Sequence, residues 1–390
     1  MKTDRFSTIT RRQALQLGAA GAALAGMPGF ARQAFAASNL TLADIGVGDT
    51  GDWSKFTNAT GNSVNVVSMG NAPSAVVNQL LAGGGMSNFH IVNIVGGMQE
   101  PLVENNLIRK LDPSRMPNWG KDAYISDYLA KGTPGFDFIG YGDEFYGVPT
   151  VLQGDSFAYL PDETGELDSY GALFDPKFKG FVALEDNYTT AGQKTALFLN
   201  ATGQAKIADP ADMTPEEVKT VIDFMIEKKR AGQFRVIWSS FEQAVNLLTS
   251  KEVHVMDCWE PMVFVAKSQG TNAKYAAPKE GYLLWAMAAY IVNNPNMGEA
   301  DLDATYKLLD FMLGGWYGAK ITLMRGYMTN PLAAEYAKAH PDEFTAEEAA
   351  RVAEITDGVK AKFEKGGTWQ NRWPTHVDVY EEEWQRFKAA

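Results

Sequence analysis

Cysteine is almost absent from this 390-residue sequence: Cys258 stands alone. It can form no internal disulfide, and a lone exposed thiol is a liability in an oxidising compartment, so the sequence predicts that it is buried. Histidine is nearly as scarce. His90, His254, His340 and His376 are scattered, with no pair at metal-ligand spacing and no His-Glu-x-x-His helix, so they support neither a metal site nor a zinc-protease centre. The sequence has no Gly-x-Ser-x-Gly elbow, phosphate loop or dinucleotide fingerprint. Gly83-Gly84-Gly85 ends a helical pattern instead of opening one, which marks a turn and not a nucleotide site. Long apolar runs are missing as well. The Ala/Gly-rich stretch from Leu15 to Met27 is interrupted at Arg32, short of the ~20 apolar residues that span hydrocarbon.

The first 37 residues read as an address. Thr10-Arg11-Arg12-Gln13-Ala14-Leu15 is a twin-arginine pattern, and Ala34-Phe35-Ala36 fits a small-x-small cleavage site, so residues 1–37 are expected to direct export and be removed. Their loss takes away Lys2, Arg5, Arg11, Arg12 and Arg32 against Asp4 alone, leaving 30 Lys+Arg against 46 Asp+Glu. A chain this acidic is repelled by nucleic acid and by anionic lipid, and no basic cluster survives, so neither partner is expected.

About 350 remaining residues exceed what one core usually organises, so two lobes are expected. Short apolar runs alternate with helical patterns in a way that builds an α/β sheet. Strands are read at Leu40–Ile45, Val64–Val67 and His90–Ile94, with intervening helices near Trp53–Ala59 and Ala75–Ala82. A second alternation has strands at Phe181–Leu184 and Val253–Met256 and helices at Thr190–Asn200 and Pro215–Ala231. Thr214-Pro215-Glu216-Glu217 is a marked helix start. Extended segments at Tyr146–Gln153 and Tyr282–Ala289 would cross between the lobes. The division is therefore 38–152 for the first part of lobe 1, 153–281 for lobe 2, and 282–390 for a return to lobe 1 and C-terminal helices. The polar run Pro341–Lys365 reads as a solvated helical face.

Five strings, in order, carry a resemblance. They are Phe56–Gly61, Asn106–Asn118, Leu173–Gly180 before a strand carrying Glu185-Asp186, Pro278–Gly281, and Arg325–Pro331. Together the chain resembles the spermidine/putrescine-binding branch of the periplasmic substrate-binding proteins of ABC transporters. The resemblance implies a type II periplasmic binding protein fold of two α/β lobes joined by a two-segment hinge, with the ligand caught between them. It further implies a monomer without a prosthetic cofactor that delivers a small organic cation to an ABC permease and its ATPase, and no catalysis.

By the same resemblance Asp186 stands where a carboxylate meets the amine, and Trp259 where an indole stacks on it. Thr189 replaces a second acid, Pro261 an aspartate of some members, and Gly46, Gly48 and Thr50 replace aromatics, so the polyamine pocket is incomplete. From the residues themselves, Asp257-Cys258-Trp259-Glu260-Pro261 closes a strand and opens a helix, where open α/β sheets bind ligands. Trp259 and Glu260 offer a face and a charge to a cation; alternatively they are a packed aromatic and a helix-start residue. Trp285 and Tyr327 follow the landmarks, Asp155 and Ser156 follow the first crossing, and Trp53 lies in the acidic loop after the first strand. Trp238 reads equally as core. No arginine stands at the candidate strand ends, with Arg325, beside Tyr327, the exception. A quaternary ammonium compound, an amino-acid derivative or an opine stay open as ligands. An exported enzyme is the alternative of another class.

Overall fold

The computed structural model describes residues 37–390, except 71, 72, 84, 122–124, 126 and 371, so the twin-arginine segment lies outside the described residues. The first lobe opens with strands β1 (Asn39–Asp44), β2 (Ser63–Ser68) and β3 (Ile91–Val95) and helices α1 (Ser54–Thr60), α2 (Pro73–Leu81) and α3 (Glu100–Glu104). β1 lies between the other two and is parallel to both, as strands joined by helical crossovers are. A small ribbon, β4 (Gly140–Tyr141) with β5 (Glu144–Phe145), precedes the long strand β6 (Gly147–Tyr159).

β6 explains the lobes. Its first half pairs antiparallel with β11 (Tyr282–Ile291), and β11 pairs antiparallel with β3. Its second half pairs with β9 (Val255–Cys258), which continues to β7 (Val182–Glu185) and β8 (Phe234–Trp238) in the second lobe. The order across the sheet is β2-β1-β3-β11-β6-β9-β7-β8, with β10 (Lys274–Tyr275) on β6 and β12 (Gly367–Trp369) on β11. All thirteen residues of β6 and all ten of β11 are buried, which for strands covered on both faces replaces in-out alternation with continuous burial. Yet β6 is polar in its middle, at Gln153-Gly154-Asp155-Ser156, where it passes from one lobe to the other.

Lobe 2 carries α4 (Gln193–Ala201), α5 (Pro215–Arg230), α6 (Phe241–Thr249) and α7 (Glu260–Ser268). The start of α5 is a capping box: Thr214 and Glu217 satisfy each other's backbone amides. Two apolar clusters fill the faces of its sheet, one around Phe157, Tyr170 and Leu184, the other around Trp238, Met256 and the buried Cys258. Helices α8 (Glu299–Met312) and α9 (Gly315–Arg325) cover lobe 1, with α10 (Leu332–Ala339) and α11 (Ala346–Lys365) beside them. The polar run read as a solvated face is amphipathic: Val352, Ile355, Val359 and Phe363 of α11 are buried at helical spacing. The final helix, α12 (Val377–Ala389), turns back to lobe 2. Its Tyr380, Trp384 and Phe387 complete that core, and Tyr380 Oη accepts the Met213 amide at 2.6 Å. Among the described residues no helix is long and apolar enough to cross a membrane.

Candidate functional site

The cleft is built where strand ends from both lobes meet, and its volume is about 630 Å³. On the lobe 1 side, β1 ends in a buried aspartate. Asp44 accepts hydrogen bonds from Gly46 N (2.9 Å), Gly48 N (3.0 Å) and Asn93 Nδ2 (2.6 Å), which folds Ile45, Gly46 and Val47 into the wall. Burial raises the Asp44 carboxyl above its usual range, and these donors pull it partly back. Gly48 is required here because a Cβ would fall 2.5 Å from Asn93 Nδ2. The other lobe 1 contribution is the end of α9, where Gly326 takes a left-handed cap at φ 72° and turns the chain so that Arg325 and Tyr327 both line the cleft.

Trp285 and Met287, two apart on β11, present one face of that strand to the cleft. Trp285 meets Tyr327 edge to face at 5.2 Å. Asp155, from the polar middle of β6, lies below them and is 2% exposed. Gln370 Nε2 donates to its Oδ2 at 3.4 Å. Burial raises its carboxyl, with the charge of Lys194, the Trp285 indole N–H, the charge of Lys362 and the Gln370 amide opposing.

The lobe 2 wall comes from Glu185 at the end of β7, from Trp259 after β9, and from Pro261 and Phe264 on α7. Trp259 Nε1 donates to Glu185 Oε2 at 3.1 Å, and Trp238 packs edge-on against Trp259 at 5.6 Å. Behind this wall, Asp257 and Lys194 form a fully buried ion pair, and Asp257 also accepts the Glu185 amide at 3.3 Å. Three desolvated carboxylates thus share one buried ammonium. Glu185 bears the consequence: burial first, then the charge of Asp257, push its carboxyl up to about 8.

Four of the nine residues singled out from the sequence line this cleft: Asp155, Trp259, Trp285 and Tyr327. The other five do not. Asp186 faces away, held by Trp384 Nε1 at 2.8 Å and by Lys388 on α12, because adjacent residues at a strand end point to opposite sides and Glu185 takes the inner one. Glu260 is engaged by Lys362 at 2.6 Å, and Asp257 by Lys194. Ser156 alternates to the opposite face of β6 from Asp155; its amide donates to Tyr275 Oη at 2.7 Å. Trp53 packs against Phe311 and Tyr317 within lobe 1 and donates its indole N–H to Asp49 at 2.9 Å. Glu185, Gln370 and Phe264 are cleft residues the sequence reading missed. Strand parity at β7 was the available signal for Glu185; nothing local marks Gln370.

With strand ends of two α/β lobes converging on a cleft, comparison with known proteins is decisive. Residues 53–352 match the model of the bacterial extracellular solute-binding protein family. The chain belongs to that family. A spermidine/putrescine-binding periplasmic protein of Haemophilus influenzae is 25% identical to this solute-binding protein over 338 residues, covering 86% of this chain and 84% of the relative. A Listeria monocytogenes protein assigned to a spermidine/putrescine ABC transporter superposes with a TM-score of 0.70 at 19% identity, over 90% of this chain and 98% of that one. A periplasmic binding protein of A. tumefaciens B6 in complex with glucopine superposes at 0.64 with 18% identity, over 90% and 99%. The solute-binding protein therefore has the two-lobe periplasmic binding protein fold.

Proposed function

We propose that this chain is the periplasmic receptor of an ABC importer, capturing a small organic amine between its lobes and delivering it to the permease. The observation that carries the reading is the pair of desolvated carboxylates, Asp155 and Glu185, set among Trp259, Trp285 and Tyr327. Buried negative charge in excess of buried positive charge is a standing cost that an incoming ammonium offsets, and aromatic faces add cation–π attraction. The polyamine-binding role of the Haemophilus influenzae relative supports the amine. Asp155 and Trp285 stand on the crossing strands, Glu185 and Trp259 on lobe 2, and Tyr327 on lobe 1, so one ligand touching all of them favours the closed arrangement. Ligand binding then shifts a hinge equilibrium, and the permease reads the closed state. Export through the twin-arginine route fits residues 1–37 and places capture in the periplasm.

The test is a thermal-shift screen of the purified protein against polyamines, quaternary amines, amino acids and sugars, followed by calorimetry on any hit. A ligand at a hundredfold excess over its Kd adds about 2.7 kcal/mol of stability. Trp259→Ala is expected to weaken the binding of the amine hit by at least about tenfold, the loss of a desolvated cation–π contact of roughly 2 kcal/mol. Shifts produced only by sugars or other neutral solutes would discard the amine. Recovery of a chemically altered ligand would favour an exported enzyme.

A further inference from the structure

The walls of the cleft contain polar atoms of both kinds that the protein leaves without partners. On the acceptor side stands Gln370 Oε1 and on the donor side Arg325 Nε, while the Trp285 indole N–H is turned to the Asp155 carboxylate. Asp155 and Gln370 are 2% and 1% exposed, so bulk water does not satisfy them. Arg325 spends one N–H, from Nη2, on the Asp49 carbonyl at 3.3 Å, and makes no ion pair among the described residues. Its charge acts on Asp44 and Tyr327, and it is not among the principal charges acting on Asp155 or Glu185. The cleft therefore has an acidic end and a guanidinium end, with Tyr327 feeling the charges of both.

Native proteins rarely leave buried donors and acceptors unpaired, and such groups at a cleft describe the molecule that completes them. A diamine carries only N–H donors. It would satisfy Asp155 and Gln370 and leave Arg325 Nε without an acceptor, with its second ammonium brought toward the guanidinium. We infer that the ligand is a zwitterion, an amine that also carries a carboxylate, with the ammonium at Asp155 and Glu185 and the carboxylate taken by Arg325. A guanidinium is suited to the second task, because its planar fork matches a carboxylate. This rests on the amine reading above and narrows it to the amino-acid class.

The experiment compares molecules that differ by one carboxylate. Calorimetric Kd values would be measured for ornithine against putrescine, lysine against cadaverine, arginine against agmatine, 4-aminobutanoate against propylamine, and glycine betaine against tetramethylammonium. The expected result is at least one carboxylate-bearing member that binds tenfold or more tightly than its partner. Arg325→Gln should erase that preference. Arg325→Lys, which keeps the charge and loses the fork, should restore part of it. The ligand-free melting temperature of each variant separates these outcomes from misfolding, and the preference of the unaltered protein needs no variant. Amines that bind as tightly as, or more tightly than, their carboxylate partners overturn the zwitterion and keep the amine receptor. A preference that survives Arg325→Gln overturns the role of Arg325. No binding by either member of any pair overturns both readings.

Discussion

Glu185→Gln is expected to bind the ligand at least about thirtyfold more weakly than the parent, about 2 kcal/mol, and yet to melt at a higher temperature. Both effects come from one buried carboxyl whose affinity for protons has been pushed up to about 8 by burial and by Asp257. In the unfolded chain a glutamate sheds its proton near 4.5, while in the native state Glu185 keeps it until about 8. Between those values the native state binds the extra proton, so this group lowers stability progressively as pH rises from about 4.5 to about 8. Glutamine has no such proton to lose, and it can still accept from Trp259. A cationic ligand displaces the proton, so binding by the parent should tighten as pH climbs toward 8 and level off above it, whereas the variant's affinity should stay flat. Calorimetry at pH 6, 7 and 8 in buffers of different ionisation enthalpy reads the released proton directly. A parent whose affinity is independent of pH across that range would remove Glu185 from the cation site.

Lys194→Met should destabilise the protein by about 3–5 kcal/mol, the usual result of removing one member of a buried pair. Lys194 is fully buried against Asp257, and burial alone would lower its pKa. The carboxylates of Asp257, Asp155 and Glu185 outweigh that, and its pKa is raised. Without this ammonium the acids have no compensating charge at their centre, so they must take up protons or draw in water. The deficit should therefore shrink as pH falls toward 5. Denaturant titrations at pH 5 and pH 8 measure both parts, and a loss under about 1 kcal/mol, equal at the two pH values, would show that Lys194 does not balance the cluster. Methionine matches the length of the lysine stem, so a cavity is not the cause of the expected loss.

The βαβαβ start of the chain was legible because each of its strands is a short apolar run and each helix ends in a recognisable turn. The two crossings were legible for a similar reason: only a strand covered on both faces tolerates continuous burial through Val148-Pro149-Thr150-Val151-Leu152. Strand β8 was not foreseen. Phe-Arg-Val-Ile-Trp lies at an edge, where exposure is mixed and neither a buried run nor a clean alternation marks it. Trp259, Trp285 and Tyr327 could be anticipated, because landmarks fix their place in the chain, and Asp155 because it follows the first crossing. Phe264, Glu185 and the pairing of Glu260 could not. Whether Glu185 or Asp186 faces inward depends on the parity of one strand, and whether Glu260 is free depends on Lys362, 102 residues away on a helix whose polar look concealed a buried stripe.

The placement of α12 has a bearing on biosynthesis. Residues 377–389 seal the core of lobe 2, whose first strands are made some two hundred residues earlier, and lobe 1 likewise waits for β11, α8 and α9. The elements that cover lobe 1 are all made by the end of α11, whereas lobe 2 waits for α12, so the nascent chain carries an open apolar surface on lobe 2 until its last helix emerges. Exposed apolar surface of that kind is what chaperones and proteases act on, and substitutions at Tyr380, Trp384 or Phe387 are expected to prolong it, lowering the yield of folded protein more than its affinity.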